Sequence, residues 1–270
     1  MTAATNLSEV DIRWSTRKLK AWDSFVWRAD RTSVWVQKSG DDWMIAGNRD
    51  DEDSENTIGL ATSLPISVDW QRWTGFGERS TVRFNPAFPD RPLVVKTRAP
   101  VMIPSDQTVD LFLNIPIWVE VCVEEGELSD VLGLFPSKLL SNTWFGDQFE
   151  GELCYVLKSL ARRTKDDLKI EPLAATCRFS ITNRFEEPLP LDRIRVLPRH
   201  LSIYKSRRRL WTSPIIVVSH GPDQPSHLSY PEEPHDEALA VLELVRPPEE
   251  VYRPSFFRES FAQYTKALFE

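Results

Sequence analysis

The amino-acid sequence predicts a mainly β protein with two antiparallel β-sandwich-like modules, a short connector and a C-terminal amphipathic helix. The first observation is an alternation of side chains from Ile117 to Glu124, which places one set on a buried sheet face and the other on an exposed face. The first set is Ile117, Val119, Val121 and Val123, and the second is Trp118, Glu120, Cys122 and Glu124. The second is the spacing of short apolar runs after Leu173, which recur about every ten residues, as in a sandwich. The third is that prolines divide the stretch 93–124 into several strands.

These observations divide the chain into four parts. The first module covers 14–125, the connector 126–142, the second, immunoglobulin-like module 143–246 and the terminal helix 255–269. At 270 residues the chain is long enough for one large all-β unit or for two smaller domains.

The first module begins with three β-like runs, at 22–29, 32–38 and 42–47. The sequence from Ser39 to Asp42 joins the second run to the third and predicts a hairpin turn. An acidic tract follows at 48–56. Because it lacks the glycine, the glutamate and the flanking helices of a calcium-binding EF-hand loop, we interpret it as a solvated loop.

Further strands are expected at 58–68 and 81–86, ahead of the long β region. The connector has mixed helical spacing, but it contains Gly133 and Pro136, so any helix there is short or broken. The segment 143–159 that follows is predicted to be a turn and then a strand.

A second β block begins with 173–183, where Cys177, Phe179 and Ile181 alternate with polar residues. Further runs are separated by proline or asparagine and lie at 189–197, 201–204, 210–218 and 238–245. A proline-rich loop at 221–236 precedes the last of them. This series of short strands is typical of an immunoglobulin-like sandwich.

The chain ends in a segment with helical periodicity. Ser255 is a suitable N-cap. Four apolar residues recur at spacings of four, three and four: Phe257, Phe261, Tyr264 and Leu268. Such an amphipathic helix either covers the protein's own sheet or contacts a partner, including a second copy of the chain in a homodimer.

The composition is that of a soluble globular protein with an acidic surface. A net charge of −7 argues against nucleic acid as a partner of the surface as a whole. Ten tryptophans fit aromatic pairs in a sheet-rich core, or a surface that stacks sugars or bases. Three cysteines without a disulfide or zinc pattern, and an amino terminus without an apolar leader, predict a cytoplasmic protein.

Four segments occur in a characteristic order: NIPIWVEVCVE, TWFGDQFEGELCYVLKS, CRFSITNRFEEPLPLDRIRV and LSIYKSRRRLWTSPIIVV. This order resembles the prokaryotic domain-of-unknown-function family 432, described mainly from archaea. The likeness covers 58–220, and Phe145-Gly146-Asp147 with Gly151 is its short fingerprint. The resemblance implies no settled activity and no catalytic residues. It implies an accessory role in a mechanosensitive channel system, because family members are noted near genes for small-conductance channels of that kind.

The sequence contains no catalytic or metal-binding motif. It lacks a GxSxG elbow, a phosphate-binding glycine loop and a Cys–His signature. His220, His227 and His235 lie around the proline-rich loop near two aspartates, but histidines in a polar loop are typical of an exposed surface. We therefore expect no catalytic residue, no metal and no cofactor.

One candidate binding site is the basic turn between two predicted strands. It contains Lys205, Arg207, Arg208 and Arg209, followed by Trp211. These charges would project together from a hairpin tip and bind an anionic partner, such as membrane headgroups, an acidic protein segment or a nucleic-acid phosphate. The alternative is a solvated turn whose charges prevent strands from pairing edge to edge.

The second candidate is the turn that contains Trp144, Phe145 and Asp147. Gly146 can adopt a positive φ, and Asp147 can hold the turn through its own backbone, so turn formation alone explains the motif. A binding cleft edged by Trp144 and Phe145 is the functional alternative, because a rigid scaffold can position loops for binding.

The predicted function is that of a non-catalytic interaction or regulatory protein, with a protein or an anionic membrane surface as its partner. The competing prediction is a carbohydrate-binding module or glycan-processing enzyme that uses an aromatic cleft. A glycan hydrolase needs two carboxylates across a groove. Adjacent pairs such as Glu186-Glu187 do not meet this requirement, since neighbouring residues of a strand point to opposite faces.

Overall fold

In the residues that it describes, the structure, a computed structural model, has β-strands as its main regular elements, which confirms the mainly β fold class. The residues that it describes are 13–50, 55–146, 149, 151–159, 161–206, 208–221, 224, 226–232 and 242–252. A short 3-10 helix, η1 (Pro198–His200), lies among the strands.

Ten strands come before the predicted connector: β1 (Thr16–Lys18), β2 (Ser24–Ala29), β3 (Thr32–Ser39), β4 (Asp42–Arg49), β5 (Thr57–Leu60), β6 (Gln71–Trp73), β7 (Thr81–Ala87), β8 (Leu93–Ile103), β9 (Thr108–Pro116) and β10 (Trp118–Glu125). The strands that follow are β11 (Leu128–Phe135), β12 (Ser141–Phe145), β13 (Glu152–Ser159), β14 (Ala174–Asn183), β15 (Leu189–Val196), β16 (Ile203–Lys205), β17 (Leu210–Thr212), β18 (Ile215–Ser219), β19 (His227–Ser229) and β20 (Glu243–Arg246). Most of them have the short length that is usual for strands in globular proteins.

The backbone forms two compact units. The first comprises 1–88, 116–139 and 207–209, and the second comprises 89–115, 140–206 and 210–270. Each unit therefore draws on separate stretches of the chain. The division into sequence modules stays a prediction, because a compact grouping does not show that a segment folds alone.

The first unit contains two antiparallel sheets. One has five strands in the order β5-β2-β3-β4-β6, and the other has four in the order β1-β7-β10-β11. The β3–β4 hairpin confirms the predicted turn, since Ser39 pairs with Asp42. Gly40 has a φ of 60°, in the left-handed region that glycine tolerates.

Aromatic side chains from both sheets meet in the first unit. Trp27 on β2 is fully buried and stacks on Phe84 of β7, with ring centroids 6.4 Å apart. Phe25 lies 5.5 Å from the same phenyl ring. The Nε1 of Trp27 donates to the Arg13 carbonyl at 2.8 Å, so the indole keeps a hydrogen bond on burial. These contacts explain part of the high tryptophan content as core packing.

The segment 126–142, predicted as a helical or irregular connector, contains a strand. Its central residues form β11, which pairs antiparallel with β10. Gly133 lies in this strand, close to the ring of Phe135, and Pro136 follows the last strand residue, where no donor to the ladder is lost. A register shift against β10 interrupts the two-residue period of β11, so the sequence pattern of β11 does not predict a strand.

The second unit contains a four-stranded sheet in the order β12-β13-β8-β15 and a seven-stranded sheet. The larger sheet runs β19-β18-β14-β17-β16-β20, and β9 also pairs with β14. Among the described residues, β13 is parallel to β8, and β14 is parallel to both β17 and β18. The prediction that all strands pair antiparallel is therefore wrong for this unit. The sequence pattern could not reveal the parallel pairs, because side chains alternate in parallel and antiparallel strands alike. The parallel pairs also give no support to an immunoglobulin-like module, whose sheets are antiparallel.

The predicted strand that begins at Leu210 is divided into β17 and β18. From Ala175 to Phe179 β14 advances four residues, while its partner advances five, from Leu210 to Ile215. The extra residue lies near the Ser213–Pro214 step, where proline cannot donate to the ladder. Strands β17 and β18 therefore run as one continuous strand along β14, interrupted by a bulge.

Side-chain alternation is confirmed in β14, where Phe179 and Ile181 are buried and Ser180 between them is half-buried. In β10 the alternation is only partial. Trp118 and Cys122, which were expected on an exposed face, are buried as well. When both faces of a strand are covered, buried and exposed side chains no longer alternate, so the sequence pattern does not distinguish the two faces.

Some predicted features lie outside the described residues. These are the terminal helix at 255–269, with the homodimer contact expected of it, and residues 51–54 of the acidic tract. The proline-rich loop at 221–236 contains one short strand, β19. In the part of the chain that the structure describes, no helix is long and apolar enough to cross a bilayer.

Candidate functional site

Strands β12 and β13 form one edge of the four-stranded sheet in the second unit. In their antiparallel register Trp144 lies opposite Leu153, and Asn142 lies opposite Tyr155. Residues directly opposite one another in an antiparallel pair point to the same face. These four side chains therefore share one face at the edge of the sheet.

The same face becomes part of the apolar core further into the sheet. Tyr155 is in register with Leu93 of β8, and Leu157 is in register with Val95. Leu93, Val95 and Leu157 are all buried. Burial ends towards the edge, where the exposed fraction is 54% for Trp144 and 44% for Leu153. The core face thus continues into solvent as an apolar surface, a feature that often marks an interaction site.

Two residues of the loop before β8 form hydrogen bonds to polar side chains of this surface. The Arg91 guanidinium lies 5.2 Å from the centre of the Tyr155 ring, and its Nη1 donates to the Asn142 side-chain oxygen at 3.0 Å. The Tyr155 hydroxyl donates to the Asp90 carboxylate at 2.9 Å. Burial and this hydrogen bond raise the pKa of Tyr155, so the phenol is protonated at neutral pH. We define the edge patch as Arg91, Asn142, Trp144, Leu153 and Tyr155.

Phe145, the next residue of β12, belongs to the other face of the sheet. There the Arg195 guanidinium of β15 lies 5.9 Å from the centre of the Phe145 ring, and Glu152 lies opposite Phe145 in register. Arg195 also forms an ion pair with Glu152. The structure therefore does not bring Trp144 and Phe145 onto one surface, since consecutive residues of a strand alternate between faces.

The sequence identified only one residue of the edge patch. Leu153 and Tyr155 could have been inferred from alternation along β13, whereas Arg91 precedes a strand that is distant in sequence. Gly146 has a φ of 118°, so the expected positive φ is confirmed. Asp147, the remaining residue of the predicted turn, lies outside the described residues.

The basic turn is less cationic than its sequence indicates. The Lys205 Nζ lies 3.0 Å from a carboxylate oxygen of Glu243 on β20. Trp211 is buried on β17 and therefore does not extend the turn as an exposed ring. The arginines differ in exposure: Arg208 is exposed, Arg209 is half-buried and Arg207 lies outside the described residues. Binding of an anion by this turn stays a prediction.

The cysteines are buried thiols with raised pKa values. Burial, with a smaller contribution from a nearby glutamate, raises the pKa of Cys122 and of Cys154 to about 11. Burial raises the pKa of Cys177 to about 12. Thiols with such pKa values are protonated at neutral pH and are therefore poor nucleophiles. Among the residues placed by the structure, no His, Cys, Asp and Glu side chains form a group that could hold a metal ion.

A family model described as a protein of unknown function (DUF432) matches residues 13–266. The match covers nearly the whole chain and extends on both sides of the 58–220 range in which the sequence resemblance lies. The comparisons with curated proteins and with solved structures gave no match. Because the family description names no activity, the function has to be inferred from the chain's own residues.

Proposed function

The chain belongs to the family of proteins of unknown function DUF432, and from this premise we propose that it is a non-catalytic interaction protein that binds a partner protein through the edge patch. Trp144 and Leu153 lie opposite each other and are 54% and 44% exposed. This exposed pair, continuous with a core face of its own sheet, is the observation that carries the proposal.

The residue types of the edge patch are those on which protein interfaces depend. Tryptophan, tyrosine and arginine are enriched among the interface residues whose truncation costs most in binding free energy. Arg91 is held by Asn142 and lies over Tyr155, while Tyr155 is itself held by Asp90. Side chains that are already fixed lose little conformational entropy when a partner binds.

The carbohydrate-binding alternative has weaker support from the same residues. A sugar needs hydrogen-bonding groups beside an aromatic ring to meet its hydroxyls. In the edge patch the Asn142 oxygen already accepts from Arg91, and the Tyr155 hydroxyl already donates to Asp90. Leu153, the neighbour of Trp144 across the strands, has no polar side-chain atom. These features favour an apolar protein segment as the occupant.

Photo-crosslinking in native cells tests this proposal. Benzoylphenylalanine replaces Trp144 in the full chain, and its protein adducts are identified by mass spectrometry. The same replacement at Ile66, which is 99% exposed in the first unit, is the control. We expect a protein adduct at position 144 that is absent at position 66. Equal adducts at both positions, or none at position 144, would reject the edge patch as a binding surface.

The partner identified in this way permits a quantitative test. Trp144→Ala and Leu153→Ala should each weaken binding of the purified partner by about 2 kcal/mol, the loss expected at a central interface residue. Leu139→Ala, at a position that is 76% exposed, should leave binding unchanged. Since both patch residues are exposed, their variants should keep the free energy of unfolding within about 0.5 kcal/mol of the wild type.

Two further parts of the sequence prediction are retained as proposals. A sandwich arrangement of the first unit is supported by the ring contacts of Phe84 with Trp27 and Phe25 between its two sheets. An accessory role in a mechanosensitive channel system is implied by the family resemblance alone. The identity of the cross-linked partner tests that role directly, since a channel component would support it and an unrelated protein would not.

A further inference from the structure

A row of three cationic side chains crosses the four-stranded sheet of the second unit. Lys158 of β13 is in register with Lys96 of β8, and Lys96 is in register on its other side with Arg193 of β15. Residues in register on neighbouring strands share a face, and neighbouring strands lie about 4.8 Å apart. The three positions therefore span roughly 10 Å across the strands. We call these three residues the cation row.

The two lysines of the cation row are costly for the sheet itself. Like charges directly opposite each other on neighbouring strands destabilise the pairing. Lys96 and Lys158 are both exposed, and neither forms an ion pair with a described residue. By contrast, Arg195 on the same sheet is paired with Glu152. The chain has 40 acidic residues against 33 basic ones, so a lack of carboxylates in the composition does not explain the arrangement.

The cation row lies on the opposite side of the sheet from Trp144 and Leu153. Lys158 follows Glu152 by six residues in β13, and an even separation places both on one face. Glu152 in turn lies opposite Phe145 and not opposite Trp144. The cation row is therefore a surface distinct from the edge patch.

The charge of the molecule limits which anions this surface can attract. The net charge of −7 repels a long polyanion or an anionic membrane, because both interact with the whole surface. Near an anionic membrane each basic residue contributes only about 1 kcal/mol, which is too little for three residues to anchor the protein. A short acidic segment differs from these partners, because its charges interact with the cation row within a Debye length of about 8 Å and not with the whole surface.

The spacing of the cation row fits an extended acidic peptide. Alternate residues of an extended chain lie about 6.6 Å apart on one side of the peptide, since each residue rises about 3.3 Å. Two or three carboxylates spaced in this way match a row of roughly 10 Å, given the long flexible stems of lysine side chains. We propose that the cation row binds an acidic segment of a partner protein, laid in extended form across β13, β8 and β15.

Fluorescence anisotropy with a labelled oligoglutamate peptide and the full chain tests this proposal. The peptide should bind at low salt and more weakly at about 0.15 M salt. The double variant Lys96→Gln/Lys158→Gln should weaken binding about tenfold, as expected when two exposed ion pairs are lost. An oligoglutamine peptide of equal length should not bind. Failure of the oligoglutamate peptide to bind at low salt would overturn the proposal.

Substitution of an exposed lysine outside the cation row shows whether peptide binding depends on a local site or on the total charge of the protein. Lys138 is exposed and lies in the first unit, so Lys138→Gln removes one charge at a distant position in the sequence. It should leave peptide affinity unchanged, as should Trp144→Ala, which alters only the edge patch. The proposal is overturned if Lys138→Gln weakens binding as much as the double variant, or if the double variant binds as the wild type does.

Two further measurements exclude other roles of the lysines. The double variant should unfold at the same temperature as the wild type or at a higher one, because a repulsion has been removed. A lower unfolding temperature would show that the lysines stabilise the sheet and would overturn the proposal. Phosphatidylserine vesicles and single-stranded DNA are assayed with the same variants. Lysine-dependent binding of either one without binding of the peptide would also overturn it.

Discussion

Cys177 on β14 is a fully buried thiol, and burial raises its pKa from 9.0 to about 12. In the unfolded chain the same thiol titrates at its ordinary pKa. At any pH between these two pKa values, the native state therefore binds more protons than the unfolded state does. By linkage, this contribution to stability is fully present below about pH 9 and is lost as the pH rises through the folded pKa.

We expect the free energy of unfolding, measured with urea, to fall as the pH is raised above about 9. Cys177 alone should contribute a slope of up to about 1.4 kcal/mol per pH unit. The Cys177→Ala variant lacks this titration, so the stability difference between wild type and variant should narrow with rising pH. A difference that stays constant from about pH 8 to pH 10.5 would contradict the expectation.

Individual tryptophans show why a residue count does not identify a site. Trp27 and Trp43 are fully buried, whereas Trp144 and Trp22 are 54% and 70% exposed. All four lie in or beside β-like sequence patterns. Composition therefore predicts that indoles matter to this protein, but not which of them serve the core and which face solvent, because exposure depends on what packs against each strand.

At the scale of elements, strands β4 and β11 approach each other closely at Gly47. A Cβ added to Gly47 would lie 2.1 Å from a ring carbon of Phe135, which is far inside van der Waals contact. Gly47 therefore makes room for an aromatic side chain from the very strand that was predicted as a connector. The close approach explains why glycine occurs inside β4, where it otherwise weakens a strand.

We expect Gly47→Ala to destabilise the protein by about 1–3 kcal/mol, since the Phe135 ring must move out of a well-packed position. The change in the free energy of unfolding can be measured by urea denaturation. Gly59→Ala in β5 is the matched control, because a Cβ there has no atom within 4 Å. If both variants lose the same amount of stability, the close approach at Gly47 does not constrain the fold.

The elements differ in how well local sequence predicts them. The β3–β4 hairpin depends on four consecutive residues with turn chemistry, and it was predicted correctly. Strand β11 and the parallel pairs of β13 and β14 were not predicted, because they depend on partners that are distant in sequence. Local alternation specifies a strand but neither its neighbour nor its direction.

At the scale of the whole molecule, the strand pairings connect the two predicted modules. Strand β8 lies within 14–125, but its partners β13 and β15 lie within 143–246. Strand β10 also belongs to the first predicted module, whereas its partner β11 lies in the predicted connector. Cutting the chain at these module boundaries therefore separates strands from their hydrogen-bonding partners.

We expect the isolated fragment 14–125 not to fold cooperatively, because β8 would expose apolar residues such as Leu93 and Val95, which are buried in the full chain. Proton–nitrogen NMR spectra of the fragment should show the narrow dispersion of an unfolded chain, while the full chain should show wide dispersion. A well-dispersed fragment spectrum with a cooperative urea transition would show instead that 14–125 is an autonomous module.

The amino-acid sequence alone was sufficient to predict the mainly β class, the hairpin at Ser39–Asp42, the alternation in β14 and the family to which the chain belongs. Each of these depends on residues that are near one another in sequence or on the order of segments. The edge patch and the cation row, by contrast, exist only because the folded chain brings distant strands together. Arg91 contacts Asn142 and Tyr155, and Lys96 lies in register with Lys158, because β8 pairs with a strand that is distant in sequence. A period of two assigns side chains to faces, but only the arrangement of strands decides which of these side chains become neighbours.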